Sequence, residues 1–162
     1  KMDVQFAVLG SGESWCENEI NVLQSKLPNM RAYIGYDDAL SHLIEAGSDF
    51  FLMPSKYEPC GLNQIYSMLY GTLPIVRRTG GLADTVANYN ENNADVTGFV
   101  FDNLTPRAVF DTVGWAVWAY YNKKQDIRKM QLRGMDTTFS WDSAANGYLE
   151  VYKEALSRGC GI

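Results

Sequence analysis

Short apolar runs alternate along this chain with longer segments whose apolar residues recur at helical spacing, and this alternation constrains the fold more than any other feature. Strands joined by helical crossovers run parallel, because a tight hairpin turn is what antiparallel neighbours need. The sequence therefore predicts an α/β fold with a doubly wound parallel sheet. The predicted strands are residues 4–9, 30–34, 50–53, 72–76 and 99–101.

Several residues indicate how these elements begin and how deeply they lie. The nearly continuous apolar run 4–9 predicts a strand buried on both faces. Asp37 has a side chain suited to capping a helix, and Pro74, which lacks an N–H, predicts a bulge or an early position in its strand. Residues 88–97 are rich in Asn and predict an exposed loop. Helices are predicted at 15–26, after 37, from 62, from 106, at 125–135 and at 142–156.

Residues 54–64 form the segment that most directly indicates a function. Glu58 and Gly61 lie in a polar turn between an apolar strand and an amphipathic helix, which is where open α/β sheets hold ligands. The unpaired N–H groups and positive dipole end of the helix suit a phosphate. Glu58 would repel a phosphate, so it is better suited to accept hydrogen bonds from hydroxyl groups. A ligand with both phosphate and polyol is expected, and a nucleotide-sugar fits.

The overall composition argues against other classes of protein. A net charge of −5 in 162 residues disfavours a nucleic-acid partner, which normally needs a basic face. No apolar run approaches the roughly 18 residues that a membrane span requires. The single histidine, His42, supports neither a metal site nor a catalytic triad, so no metal and no cofactor are predicted. Cys16, Cys60 and Cys160 show no metal-ligand spacing and favour a reducing compartment.

Two motifs at a fixed separation carry a family resemblance. Glu58-Pro59-Cys60-Gly61-Leu62 is followed by Thr79-Gly80-Gly81-Leu82-Ala83-Asp84-Thr85, and together they resemble the C-terminal half of bacterial glycogen synthases and plant starch synthases. The resemblance extends over essentially the whole chain. It implies the Rossmann-like C-terminal domain of a GT-B glycosyltransferase. It further implies transfer of glucose from ADP-glucose to an α-glucan acceptor, with retention of configuration, without a metal, and by front-side attack.

The same resemblance assigns roles to individual residues of the first motif. Glu58 matches the residue that stabilises positive charge on the donor sugar, and it is the catalytic candidate. Gly61 and Leu62 match positions whose backbone N–H groups meet sugar and phosphate, although Gly61 could also simply permit the turn. Cys60 matches a position beside the sugar. Asn63 stands where relatives often carry Thr, and either side chain could donate to a phosphate.

Further candidates lie outside that motif. Tyr36 matches an aromatic residue that stacks on adenine; without the resemblance it would be interpreted as a helix-entry packing residue. Ser55 and Lys56 flank the site and are candidates for contacting the diphosphate. A family pattern that places a ribose-binding Glu eight residues after the first Glu is not met, because that position is Tyr66. Ribose recognition is therefore unassigned.

The second motif has two interpretations that the sequence leaves open. Its first residues and the two arginines before them either face the cleft or form a buried ion pair and a glycine-opened turn; the residues concerned are Arg77, Arg78, Thr79, Gly80 and Gly81. Gly10 and Gly12 resemble half of a dinucleotide fingerprint, but the third glycine is absent because position 15 is Trp. Trp115 and Trp118, one helical turn apart, more often belong to a core or an interface than to a sugar platform.

Other functions also remain open. A GT-B enzyme that uses a uridine donor fits the same motifs, and so does a non-catalytic interaction domain that dimerises through the Trp115 helix. The whole chain, residues 1–162, is expected to be one C-terminal nucleotide-sugar-binding domain of a larger two-domain enzyme. The helix at 141–157 is expected to pack on an N-terminal domain, and the 162 residues alone to bind ADP weakly and transfer no glucose. The resemblance implies bacterial cytoplasm or plastid stroma.

Overall fold

The computed structural model describes residues 2–92 and 95–159, with five strands and seven helices in those residues. Strands and helices alternate through β5, and the remaining elements are helical, as predicted. In chain order the elements are β1 (Phe6–Gly10), α1 (Ser14–Lys26), β2 (Met30–Ile34), α2 (Asp38–Ala46), β3 (Phe50–Met53), α3 (Asn63–Tyr70), β4 (Leu73–Arg77), α4 (Gly80–Thr85), β5 (Phe99–Phe101), α5 (Pro106–Asn122), α6 (Lys124–Asp136) and α7 (Trp141–Gly159).

Every strand pairing between these elements is parallel, which confirms the predicted architecture. Hydrogen bonds divide the strands into two sheets, with β1 paired to β2 and the order β3-β4-β5 in the other. The prediction that the first strand is buried on both faces was wrong, since Phe6 is 41% exposed. The apolar run correctly indicated a strand. However, β1 lies in a two-stranded sheet, and its residues are only partly buried or exposed.

The three-stranded sheet holds the core, with helices on both faces. Alternate residues point to opposite sides: Leu73, Ile75 and Phe99 join the cluster that contains residues of α5 and α6. Val76 and Val100 join Leu82 of α4 on the other face. Pro74 is the second residue of β4, as predicted, although β4 is the central strand. This two-sided covering makes the sheet doubly wound.

Local signals in the sequence explain where several helices begin and end. The Leu40 N–H donates to Asp37 Oδ1 at 2.9 Å, so the predicted cap of α2 is confirmed. Thr105 caps α5 in the same way, followed by Pro106 in the first turn. Gly71 ends α3 with φ of 82°, a left-handed conformation that glycine adopts without penalty. Helix α3 and strand β4 are thereby joined by a very short connection.

The C-terminal helix α7 differs from the rest in its surroundings. Its large apolar side chains are exposed, among them Trp141, Tyr152 and Leu156. Cys160 and residues 93–94 of the predicted loop 88–97 lie outside the described residues. Across residues 2–92 and 95–159, no helix combines the length and the apolar character needed to cross a membrane.

Candidate functional site

The two sequence motifs meet at the carboxyl edge of the three-stranded sheet. Strands β3 and β4 are parallel and in register, with Met53 opposite Val76, so the residues that follow each strand emerge side by side. Residues 54–62 connect β3 to α3, and residues 78–79 connect β4 to α4. Most of the second motif, 79–85, forms the short helix α4. Strand geometry alone therefore brings the two segments together.

The contact between the motifs is made by backbone, and two glycines permit it. A Cβ atom at Gly80 would lie 2.0 Å from the Glu58 carbonyl oxygen, and one at Gly81 would lie 2.2 Å from the Cys60 carbonyl oxygen. Gly80 also has φ of 44°, in the left-handed region. The Gly81 N–H donates to the Glu58 carbonyl oxygen at 3.0 Å. The glycine pair thus supports the catalytic candidate's own backbone.

Gly61 meets two separate requirements of the first motif. Its φ is 74°, and a Cβ atom there would lie 2.4 Å from Gln64 Oε1. The glycine is therefore needed for the turn itself and for the close approach of the Gln64 side chain. The interpretation that Gly61 permits the turn is confirmed, and contact of its N–H with a ligand stays a prediction.

Gln64 and Thr85 are central to this corner, and the sequence reasoning did not single them out. The Gln64 side chain is completely buried. Its Nε2 donates to the carbonyl oxygens of Cys60 at 3.1 Å and Gly61 at 2.8 Å, and to Thr85 Oγ1 at 3.2 Å. The Thr85 hydroxyl in turn donates to the Gly81 carbonyl oxygen at 2.7 Å. The sequence did hold a signal for Gln64: it is a polar residue on the buried side of an apolar helix, three residues after Gly61.

Arg77 has a structural role in this corner. Its Nη1 donates to the Lys56 carbonyl oxygen at 2.6 Å and its Nε to the Asp102 carbonyl oxygen at 3.1 Å. It therefore ties the loop after β3 to the end of β5. The ion pair expected of this region is made by Arg78, whose Nε lies 2.7 Å from Asp102 Oδ1, but both partners are exposed rather than buried.

The hydrogen bonds of the corner use its carbonyl groups and leave the start of α3 uncapped. Carbonyl oxygens of four loop residues accept from the donors described above; they belong to Lys56, Glu58, Cys60 and Gly61. Leu62 occupies the N-cap position of α3 but makes no side-chain cap hydrogen bond. Within the described residues the N–H groups of Leu62, Asn63 and Gln64 make no hydrogen bond, whereas that of Ile65 donates to the Leu62 carbonyl oxygen. Such unpaired N–H groups and the helix dipole favour an anion.

The side chains around this helix start differ in their exposure. Glu58 is partly buried, and in the described parts of the chain its carboxylate makes no hydrogen bond or ion pair. Cys60 is exposed and is a free thiol. Asn63 begins α3 and is exposed. Ser55 and Thr79 are partly buried, whereas Lys56 is exposed. The corner thus combines a carboxylate with an uncapped helix N-terminus, as the sequence predicted.

Tyr36 lies at the carboxyl end of the other sheet. It follows β2 and precedes the cap residue Asp37, and its side chain is 86% exposed. Among the hydrogen bonds of the described residues, none joins Tyr36 to the corner after β3. The ring is free to stack on a planar ligand, and its role with adenine stays a prediction.

A cavity also lies away from this corner, between residues 89–92 and α6. It has a volume of about 280 Å³ and is lined in part by Tyr89, Asp126 and Arg133. Burial, reinforced by the hydrogen bond that Tyr89 donates to Asp126 Oδ2 at 2.8 Å, raises the pKa of Tyr89 above its ordinary value. His42 lies 3.2 Å from the Tyr70 hydroxyl. No group of three or more potential metal-ligating side chains occurs within 2–92 and 95–159.

Comparison with known proteins agrees with this geometry. The family described as "Glycosyl transferases group 1" matches residues 1–127. The chain belongs to this glycosyltransferase family. The resemblance predicted from the two motifs is confirmed by curated relatives. This chain is 64% identical to glycogen synthase of Treponema denticola over 96% of its length. It is 47% identical to glycogen synthase 1 of Geobacter metallireducens over 99% of its length. In both cases the chain spans 32% of the relative, about a third of its length.

Solved structures show the same fold. The catalytic domain of starch synthase IV from Arabidopsis thaliana, bound to ADP and acarbose, superposes with a TM-score of 0.81 at 34% identity, covering 94% of this chain and 32% of that one. Sucrose-phosphate synthase from Thermosynechococcus elongatus gives a TM-score of 0.63 at 18% identity, covering 95% of this chain and 39% of that one. The second likeness is one of fold alone. The glycosyltransferase domain predicted from the sequence is therefore confirmed as a GT-B type.

Proposed function

We propose that this chain is the donor-binding domain of a retaining glucosyltransferase that moves glucose from ADP-glucose to the non-reducing end of an α-1,4-glucan. The observation that carries the proposal is the corner after β3. There protein donors bind the loop carbonyls. Among the described residues, no side chain caps the N–H groups at the start of α3 and no donor binds the Glu58 carboxylate. Glycogen synthase relatives and a starch synthase bound to ADP and acarbose support this choice of donor and acceptor.

Each part of the corner has a distinct task in the proposed reaction. The N–H groups of Leu62 and Asn63 bind the diphosphate, with the helix dipole favouring the charge that develops as it leaves. Glu58 lies on the sugar side and stabilises the oxocarbenium-like ring in the transition state. Gly61 gives the turn its left-handed conformation and leaves space for the Gln64 side chain that holds it. Ser55, Lys56 and Cys60 border the same space.

The adenine part of the proposal depends on Tyr36. Its exposed ring at the carboxyl end of β2 offers a stacking platform, and stacking on an aromatic side chain contributes about 1–3 kcal/mol per base. Stacking alone does not select adenine over uracil, so the nucleotide needs a direct measurement. Calorimetric titration of the chain with ADP and with UDP should show tighter binding of ADP. A clear preference for UDP would contradict the adenine proposal and favour a uridine-dependent enzyme.

The role of Glu58 is best tested through turnover. Because the relatives are about three times longer, we suggest a hybrid in which this chain replaces the matching third of the Treponema denticola glycogen synthase. Glu58→Gln should lower kcat for glucose transfer by about a hundredfold or more and change KM little, since the charge acts on the transition state. Glu19→Gln, an exposed carboxylate on α1, is the matched control. Equal losses in the two variants would refute the role.

The exposed face of α7 completes the proposal. A helix with Trp141, Tyr152 and Leu156 exposed presents apolar surface of the kind that interfaces cover. We propose that residues 141–157 pack on an acceptor-binding domain and that the glucan reaches the sugar from that side. The alternative, a dimer formed through α5, predicts a light-scattering mass twice that of the chain. It also predicts nucleotide binding that survives Glu58→Ala and Gly61→Val.

A further inference from the structure

We propose that Gln64 and Thr85 are positioning residues that hold the donor-binding turn against the Gly80–Gly81 turn. Together with their hydrogen bonds they form what we call the amide–hydroxyl bridge. This inference rests on the proposed function, because its purpose is to keep the corner in the shape that binds a nucleotide-sugar. It adds two residues that make no direct contact with the donor.

The Gln64 amide joins three acceptors from the two motifs. Its two N–H groups serve the Cys60 and Gly61 carbonyl oxygens and Thr85 Oγ1, so one N–H is shared. Two of these acceptors belong to the first turn, and the third belongs to α4. One buried side chain therefore fixes both the shape of the turn and its distance from the neighbouring motif.

The direction of each hydrogen bond is set by Thr85. Its hydroxyl hydrogen is directed to the Gly81 carbonyl oxygen at 2.7 Å, so its oxygen is left to accept from Gln64. The opposite orientation of the Gln64 amide would place its oxygen against two carbonyl oxygens. The bridge therefore runs in one sense, from Gln64 Nε2 through Thr85 to Gly81.

The bridge is not simply a way of satisfying buried polar atoms. Gln64 Oε1 is buried and accepts no hydrogen bond from the described residues. An apolar side chain of similar length would remove that unsatisfied atom but would leave the Cys60 and Gly61 carbonyl oxygens without their donor. The amide is therefore matched to these two carbonyls, and its donors impose the geometry of the turn.

The inference is tested by comparing stability with donor affinity in three variants. Thr85→Val should weaken binding of ADP-glucose to the chain about fivefold, roughly the effect of one lost hydrogen bond. Gln64→Met, which removes three hydrogen bonds, should weaken it more, and adenosine binding should be unchanged in both. Thr85→Val should keep the melting temperature within a few degrees of wild type, whereas Gln64→Met, which leaves two carbonyl oxygens without their donor, should lower it further. In the double variant the loss should be smaller than the product of the single losses, because both act through the same bridge.

A matched control separates the bridge from a generic threonine effect. Thr112 on α5 donates to the Ala108 carbonyl oxygen at 2.8 Å, the same bond to the residue four positions earlier that Thr85 makes to Gly81. Thr112→Val should leave the ADP-glucose affinity unchanged. Thr85→Ser, which keeps the hydroxyl, should recover most of the affinity that Thr85→Val loses.

The possible failures can be told apart. If the wild-type chain binds ADP but Thr85→Val and Gln64→Met bind ADP-glucose as wild type does, the bridge has no positioning role. If the wild-type chain binds no ADP-glucose at all, the proposed function fails and the donor role of the bridge fails with it. In that case, faster hydrogen exchange of the Gly81 N–H in Thr85→Val would still show the bridge holding the Glu58 carbonyl contact.

Discussion

Gly81→Ala tests whether the two motifs function as one unit. The new Cβ would lie 2.2 Å from the Cys60 carbonyl oxygen and 2.6 Å from Cys60 Cα, whereas real contacts of this kind essentially never fall below 3.0 Å. The atoms in the way belong to backbone, so no side-chain rotation relieves the clash. The first turn must move by nearly an ångström. Overpacking of this kind costs about 1–3 kcal/mol, and a shift of that size near reacting groups can cost about a hundredfold in rate.

The assay is a paired measurement of unfolding and of ADP-glucose binding. Gly81→Ala should lower the free energy of unfolding by about 2 kcal/mol and weaken ADP-glucose binding at least tenfold. Gly147→Ala is the matched control, since it also lies in a helix and has nothing within 4 Å of the new Cβ. That variant should gain up to about 1 kcal/mol from helix propensity. Wild-type stability and affinity in Gly81→Ala would refute the reasoning.

Two further predictions concern residues around the core of the site. Arg77→Met removes donors to the Lys56 and Asp102 carbonyl oxygens and should lower the free energy of unfolding in urea by about 1–2 kcal/mol. Arg78→Met loses only an exposed ion pair and should cost less than about 1 kcal/mol. Equal costs in the two variants would contradict the structural role of Arg77. Burial raises the pKa of Glu45 above its ordinary value of 4.5, so the folded state holds this proton more tightly. Wild type should therefore lose stability relative to Glu45→Gln as the pH rises above 4.5; parallel thermal-unfolding curves would count against this.

The elements of the fold were largely predictable because each carries its own local signal. Residues 50–53 and 99–101 are apolar and flanked by turns, and both are strands. Asp37 and Pro106 marked helix starts by a mechanism that acts within one helical turn. How the strands group into sheets was not predictable in the same way, since it depends on contacts between distant segments. For that reason β1 could be recognised as a strand, but its exposed face could not.

The candidate site also combines features that a local sequence pattern predicts with features that depend on contacts between distant segments. Glu58 and Gly61 could be selected from the sequence because a strand, a turn and a helix start lie next to each other in the chain. The positions of Gly80 and Gly81 against Glu58 and Cys60 arise from the pairing of β3 with β4, which no local pattern reports. The same pairing brings Arg77 to the Lys56 carbonyl oxygen, a contact that the sequence did not predict; its role in the cleft stays a prediction.

The way the corner is held explains which ligand it suits. Donors from three directions, Arg77, Gly81 and Gln64, bind the loop through its carbonyl oxygens. These hydrogen bonds fix the loop through its acceptors. In the described residues they leave the N–H groups at the start of α3 unpaired, which agrees with the proposed diphosphate ligand. Recognition by backbone also limits what can vary. A Cβ at Gly61, Gly80 or Gly81 would displace the loop itself, whereas a change at the exposed position 63 would alter only one peripheral donor. The two glycine-containing motifs therefore depend on each other, because each needs its glycines for the same backbone contact.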